Sequence, residues 1–392
     1  MEQITKVSIS GFRSIRECRN LELRPLNVLI GSNGAGKSNL LEFFRFLKHL
    51  KLDAVQEYVP GNGGADSLLH FGPKITPQLD FEIQLDGTSG SIAYGATMPF
   101  AMVDRLIFAK SELRFPGQAG TSVRNVLDPA VGNLESGLSA ASRGGDTAAA
   151  RIHRFLGSIR HHHFNDTSRE SRIRGRSDRR ADTTTLLPNA ANLPNLLFAI
   201  RHESPATYER IVDTIRIVAP FFRDFILDDD SPETDSLLLR WRASGQAEYV
   251  MGPHQLSDGT LRFIALVTLL LRPPPRTPSL LLLDEPEIGL HPAATNVLHA
   301  LLKEASTRSQ IILATQSMAF LDLFDADDVI VAGLERSASV FKRLNPEDLQ
   351  IWTEDYGLGD LVRKNFIEAG PNYALRGENE PEDSPLEVSP FR

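Results

Sequence analysis

Apolar and polar positions change period several times along the 392 residues, and each change predicts an element. Lys6 to Ser10 and Leu21 to Leu23 read as strands, and Asn27 to Ile30 is an apolar run that stops at a glycine-rich loop. Directly after the loop, Leu40, Leu41, Phe44 and Leu47 recur at helical spacing, and Phe43, Phe46 and Leu50 widen the apolar face. That predicts a helix covered on more than one side. From Gln78 to Leu113 the pattern alternates, as in Leu79, Phe81, Ile83 and Leu85, with turns at Asp86-Gly87 and Ser89-Gly90, which predicts an antiparallel β meander.

Residues 115 to about 200 carry fewer apolar repeats and read as an inserted helical and irregular region. Ser204 to Val218 predicts a helix with Tyr208, Ile211, Ile215 and Ile217 as its apolar positions; Leu237 to Trp241 and Glu248 to Val250 predict strands. Ser279 to Leu283 and Gln310 to Leu313 are buried-type strands flanking a helix from Ala293 to Glu304. Alternating strands and helices give an α/β class with a mainly parallel core sheet. Arg376 to Arg392, polar and with three prolines, reads as a flexible tail.

Composition narrows the class without naming a function. Apolar residues at 41% and charged residues at 23% fit a soluble globular protein. The formal charge of −8 excludes a generic polyanion binder, so any nucleic-acid contact is local. One cysteine, Cys18, makes no internal disulfide and no thiolate metal cluster, which fits a reducing cytoplasm. No apolar run approaches the ~18 residues of a spanning helix, so no membrane partner is expected.

Candidate chemistry begins at the glycine-rich loop. Gly31-Ser32-Asn33-Gly34-Ala35-Gly36-Lys37-Ser38 matches G-x-x-x-x-G-K-[ST] and sits between a strand and a helix, as a phosphate loop requires. Glycines at 31, 34 and 36 let backbone N–H groups turn toward phosphate oxygens, and the helix adds its positive end. Lys37 is placed to reach the β- and γ-phosphates, and Ser38 to ligate Mg²⁺, so ATP and Mg²⁺ are the expected cofactors. The alternative is a glycine-rich turn capping an ordinary helix. Leu280 to Leu283 ends in Asp284 and Glu285. Asp284 suits the Mg²⁺ shell and Glu285 the activation of a water; the alternative is a buried strand with a polar end.

A third motif, Leu256-Ser257-Asp258-Gly259-Thr260-Leu261-Arg262, precedes an apolar helical segment from Phe263 to Leu271. It resembles the LSGGQ signature of ABC-type ATPases. With DEPEIGLHP at 284–292 and ISGFRSI at 9–15, the chain resembles the RecF/SMC-like branch, in particular bacterial AAA-family ATPases related to the OLD-nuclease ATPase domain. The resemblance implies a P-loop NTPase head and a head-to-tail homodimer on ATP binding. In it, Ser257 and the Gly259 amide of one copy meet the γ-phosphate held by Lys37 of the other. It also implies a nucleotide-binding set of Ser32 through Asn39 together with Arg13, and catalytic roles for Lys37, Glu285 and Gln316. Within one chain, the alternative is that Ser257 serves only as a helix N-cap.

Two positions depart from the family pattern. Asp258 stands where glycine is usual, and Ala314-Thr315-Gln316-Ser317 offers Gln316 where a switch histidine is common. Glutamine hydrogen-bonds a phosphate but carries no imidazolium charge, which predicts slow turnover. A Q-loop glutamine is not placed; Gln78 and Gln84 lie in the right broad region.

Between Arg143 and Arg180 ten arginines face four acids, a net of +6 that leaves −14 on the rest of the chain. Such a segment focuses a polyanion such as duplex DNA, with Arg172, Arg174 and Arg176 on one side if extended; the alternative is a basic surface that pairs with acids of the protein or of a partner. His161-His162-His163 are expected as surface or backbone-pairing residues, since adjacent histidines do not easily converge on one tetrahedral ion. Asp228-Asp229-Asp230 reads as a solvated loop.

The expected organisation is an ATPase lobe at 1–114, an arginine-rich insert at 115–250, the signature and acid strand at 251–375 and the tail at 376–392. Two functions remain open: an ATP-gated dimer acting on DNA in repair or anti-phage defence, or an ATPase switch controlling a separately encoded effector through protein contacts. The 76 residues after Gln316 are too few for the nuclease domain of OLD-type relatives, so cutting is expected from another chain.

Overall fold

A computed structural model describes residues 2–117, 120–127, 133–164, 166–168, 170–178, 180–227, 236–273, 277–353, 356–364 and 366–367. The chain divides into two compact units, one of residues 2–158 with 314–392 and one of residues 159–313. Asp228 to Asp230, Arg169, Arg179 and the tail at 376–392 lie outside the described residues.

The first unit opens with β1 (Gln3–Phe12), β2 (Ile15–Glu22) and β3 (Leu26–Ile30), then α1 (Lys37–Lys51), α2 (Val55–Gly61) and α3 (Gly64–Leu68). The meander is β4 (Gln78–Gly87), β5 (Gly90–Ala101), β6 (Arg105–Leu106), β7 (Lys110–Gly117) and β8 (Gly120–Asn125), followed by α4 (Leu138–Arg143) and α5 (Thr147–Gly157). Its strands run in the order β2-β1-β4-β5-β7-β8, all antiparallel, so the meander continues one strand beyond residue 114.

Alternation along β4 puts Leu79, Phe81, Ile83 and Leu85 inside. Against that face lies α1, with Phe43 edge-on to Phe81 at 5.7 Å and to Phe12 at 5.7 Å. On another side α1 meets α5. This double cover explains why Phe43, Phe44, Phe46, Leu47 and Leu50 are all buried. Tyr58 of α2 donates to Glu42 of α1 at 2.6 Å, and burial together with that bond raises its phenol far above the usual tyrosine range. Cys18 is buried, which pushes its thiol up to about 11 and leaves it a poor nucleophile.

The second unit holds β9 (Ile159–His162), β10 (Ser177–Asp178), α6 (Leu193–Glu203), α7 (Pro205–Val218), β11 (Phe222–Ile226), β12 (Ser236–Leu237), β13 (Arg240–Ala243), β14 (Gln246–Met251), α8 (Asp258–Leu270), β15 (Leu280–Asp284), α9 (Pro292–Ser306) and β16 (Gln310–Ala314). β15 pairs in parallel with β9, and the Gln310 amide that opens β16 bonds to the Ser279 carbonyl at 3.0 Å. Helices α7, α8 and α9 pack on one another, and α8 is buried from Phe263 to Leu270, where the polar Thr268 donates to the Ile264 carbonyl at 2.7 Å.

Ile217, two residues past Ile215 and so on the opposite face of the helix, is 66% exposed. Two expectations need correction here. Leu237 to Trp241 is not one strand but the ends of two, β12 and β13, which pair with different partners. Arg172, Arg174 and Arg176 do not share a face: residues 172–174 form a 3₁₀ turn that buries Arg174.

The chain then completes the first unit with α10 (Met318–Leu321), β17 (Val329–Glu335), β18 (Ala338–Arg343), α11 (Pro346–Thr353) and α12 (Leu358–Arg363). β17 runs parallel to β3, with Val329 opposite Val28, and β18 turns back antiparallel. Among the described residues no helix is long and apolar enough to cross a membrane.

Candidate nucleotide site

In the first unit, β3 is buried along its whole length and ends at Gly31, where any Cβ would collide with the Ala332 carbonyl of β17. The loop then curls through Gly34 (φ 82°) and Gly36 (φ 98°), left-handed positions that glycine occupies without strain. A Cβ on Gly36 would also strike the Ser339 side chain of β18. The first turn of α1 has no side-chain cap, so its N–H groups and those of the loop form the kind of cradle that suits a phosphate. Lys37 is buried, its Nζ donating to the Gly31 carbonyl at 2.6 Å and the Ser32 carbonyl at 3.0 Å, which keeps the ammonium inside the curl. Asn33, Gly34 and Ser38 are exposed, while Ala35 is buried and Ser32 half-buried.

Behind the loop, Asn39 donates to Ser14 Oγ at 2.6 Å, and the Ser14 and Ser339 hydroxyls are 2.6 Å apart. The ISGFRSI opening thus reaches the phosphate loop through Ser14. Arg13 is directed elsewhere: its Nη2 donates to Asn62 Oδ1 at 3.3 Å, and its backbone, at φ 49°, bonds to Leu68 and His70. Gln316 is exposed one residue after Thr315, whose amide bonds to Leu29 of β3 at 3.0 Å, so Gln316 follows a residue tied to the loop's own strand. Gln78 and Gln84 bond along the meander to Asp80 and to Asp86 and Ser91, respectively.

In the second unit, Asp284 ends β15, and Glu285 follows with φ 48°. A glutamate in the left-handed region costs of order 1–3 kcal/mol. The turn is closed by the Ile288 amide on the Glu285 carbonyl at 3.2 Å. Beside the two acids lies a cavity of about 10 Å³, the size of one water, lined in part by Phe164, Arg262 and Leu266. His163 Nδ1 is 3.9 Å from the Asp284 carboxylate.

The signature corner lies in the same unit. Ser257 caps α8: its Oγ accepts from the Thr260 amide at 3.2 Å and is 2.8 Å from the Thr260 hydroxyl. The N-cap reading is therefore met, and α8 still begins as an amide-rich, positive helix end. Gly259 has no room for a Cβ, which would collide with the Gly289 carbonyl of the turn after the acids. Arg262 ties the same turn, donating to the Ile288 carbonyl at 2.7 Å and to the Phe164 carbonyl at 2.8 Å. Signature and acid turn are thus packed backbone to backbone.

Sequence reasoning missed two contacts here. His161 and His162 pair through their backbone, as expected of the run, but with Leu282 and Leu283 of the acid strand, which delivers His163 to Asp284; nothing in the local pattern points to that strand. Arg174 pairs with Asp258 and is buried, so it is no surface contact for DNA. The aspartate at 258 was the available signal, since a partly enclosed carboxylate calls for a cation. Other arginines of the run are also engaged within their units, Arg151 with Glu2 and the Gly90 carbonyl and Arg143 with Ser139.

Residues 2–88 match a family model described as "AAA ATPase domain", and residues 248–322 match one described as "AAA domain, putative AbiEii toxin, Type IV TA system". No curated protein matches the chain. Among solved structures the fold is similar to an Smc head bound to the C-winged helix domain of ScpA, at 16% identity and TM-score 0.54, covering 89% of this chain and 99% of that one. It is also similar to an Smc head domain with an extended coiled coil bound to the C-terminal domain of ScpA derived from Pyrococcus furiosus, at 15% identity and TM-score 0.54, covering 91% and 99%. One family match contains the phosphate loop and the other the signature and acid strand. The two matches, on separate parts of the chain, support an AAA-type ATPase, and the likeness to the Smc heads shows the α/β fold.

Proposed function

We propose that this chain binds and hydrolyses ATP with Mg²⁺ and that ATP closes two copies head to tail. The carrying observation is the loop at 31–38, with left-handed glycines at 34 and 36 and the Lys37 ammonium held on its carbonyls. Ser32 through Asn39 would hold the triphosphate, with Arg13 assigned only through the family resemblance. Ser38 and Asp284 offer hydroxyl and carboxylate oxygens of the kind Mg²⁺ takes alongside phosphate, and the bound ion would neutralise phosphate charge. Glu285 would take a proton from the attacking water, and Gln316 would hydrogen-bond the γ-phosphate. Ser257 and the Gly259 amide would meet that phosphate from the second copy.

The target is DNA or a protein effector. The arginine run supports DNA by its net charge. The effector reading is supported by Arg174, Arg151 and Arg143 being engaged internally, and by the ScpA domain bound to both similar Smc heads. ATPase rates with and without duplex DNA, across a salt series, separate the two. Stimulation that fades with salt favours DNA, with a slope of about −5 in log K if six phosphates are neutralised; no response favours the effector. Because Gln316 lacks a cationic form, turnover is expected to be slow, and a rate of hundreds per second would contradict its role.

A further inference from the structure

The segment from Ile159 to Asp178 is fastened at three places to the motifs of its own unit. Its first residues pair with the acid strand. The Phe164 carbonyl then accepts from Arg262, the last residue of the signature string. Arg174 makes the third fastening. Its Nε donates to the Thr167 carbonyl at 2.9 Å, its Nη1 to the Pro253 carbonyl and to the Leu256 carbonyl at 3.2 Å, and its Nη2 to the Asp258 carboxylate. The Arg174 side chain is 6% exposed and that of Asp258 63%. A planar fork with five donors matches acceptors spread over three residues of one turn, which a lysine point charge does not.

We infer that Arg174 is a positioning residue for the signature corner: it cancels the Asp258 charge and fixes the turn from Pro253 to Asp258. Ser257 and the first amides of α8 are thereby held ready for an anion brought by a second copy of the chain. Asp258 otherwise sets a negative charge one residue from Ser257, where it opposes a phosphate. The departure from glycine at this position is thus compensated from 84 residues away.

This inference rests on the proposed nucleotide-gated dimer, and its test separates the two. Amide exchange across residues 253–260 in nucleotide-free protein reads Arg174's hold directly; Arg174→Gln is expected to speed it about tenfold or more. In a Glu285→Gln background with ATP, Arg174→Gln is expected to raise the protein concentration needed for dimer about tenfold, while ATP affinity stays within about twofold. Adding Asp258→Asn to Arg174→Gln is expected to recover much of the dimer, which a merely structural role would not produce. Arg174→Lys, which keeps the charge and serves if Arg174→Gln fails to fold, is expected to retain dimer better than it retains exchange protection. Unchanged exchange and unchanged dimer in Arg174→Gln, or in Arg174→Lys if only that variant folds, overturn the inference. If Glu285→Gln protein never dimerises with ATP, the dimer reading falls, and the exchange result still decides whether Arg174 holds the corner.

Discussion

The loop at 31–38 and the signature corner, the two halves of the proposed nucleotide site, are built differently. The loop is made of eight consecutive residues whose shape follows from left-handed glycines at 34 and 36, with Ser14 and Ser339 packed behind it. The corner is made of a capped helix start, a glycine pressed on a distant carbonyl and an arginine from another segment. A local backbone conformation tolerates change elsewhere, whereas a site assembled from distant parts fails when any one of them is lost.

The largest expected effect tests the acid turn. Glu285→Gln is expected to lower ATP hydrolysis about 10²- to 10⁴-fold, the range for losing a general base, with ATP binding retained; turnover near that of the parent would remove Glu285 from catalysis. Next, Lys37→Ala deletes an ammonium whose charged hydrogen bonds are worth about 1.5–3 kcal/mol, so ATP affinity measured by calorimetry is expected to fall roughly 10- to 100-fold. Unchanged affinity would remove the loop from nucleotide binding.

Two glycine substitutions sharpen the comparison itself. Gly259→Ala forces a methyl into the Gly289 carbonyl and is expected to cost about 1–3 kcal/mol in urea unfolding. Gly34→Ala meets nothing within 4 Å and pays only for its left-handed φ, about 1 kcal/mol. Equal costs would mean that crowding does not distinguish the sites. Of the same size as Gly34→Ala is Ser14→Ala, which breaks the hydroxyl link to Asn39 and Ser339 and is expected to cost about 1 kcal/mol in the same measurement.

Legibility in the sequence follows the same division. The helix after the loop, the alternating β4 and the apolar β15 were readable because periodicity reports burial wherever one face or a whole strand is covered. The boundary of the meander was not: β8, with Val123 56% exposed, has no inward alternation to announce it. Ile217 follows Ile215 by two residues, which puts it on the opposite face of the helix from the stripe of Tyr208, Ile211 and Ile215, and it is exposed. In the candidate site, loop, acids and signature were legible as strings. Arg174 and His163 were not, because their partners are brought to them by strand pairing and a 3₁₀ turn.

Sequence alone determined the residues whose chemistry depends on immediate neighbours: the glycines that admit a left-handed backbone, the lysine and serine that follow them, and two carboxylates at the tip of an apolar strand. Tertiary structure decided which charges are spent within the fold. An arginine counted by composition as part of a basic surface is buried against three carbonyls and a carboxylate, because hydrogen-bond geometry is a property of positions in space and a charge count has none.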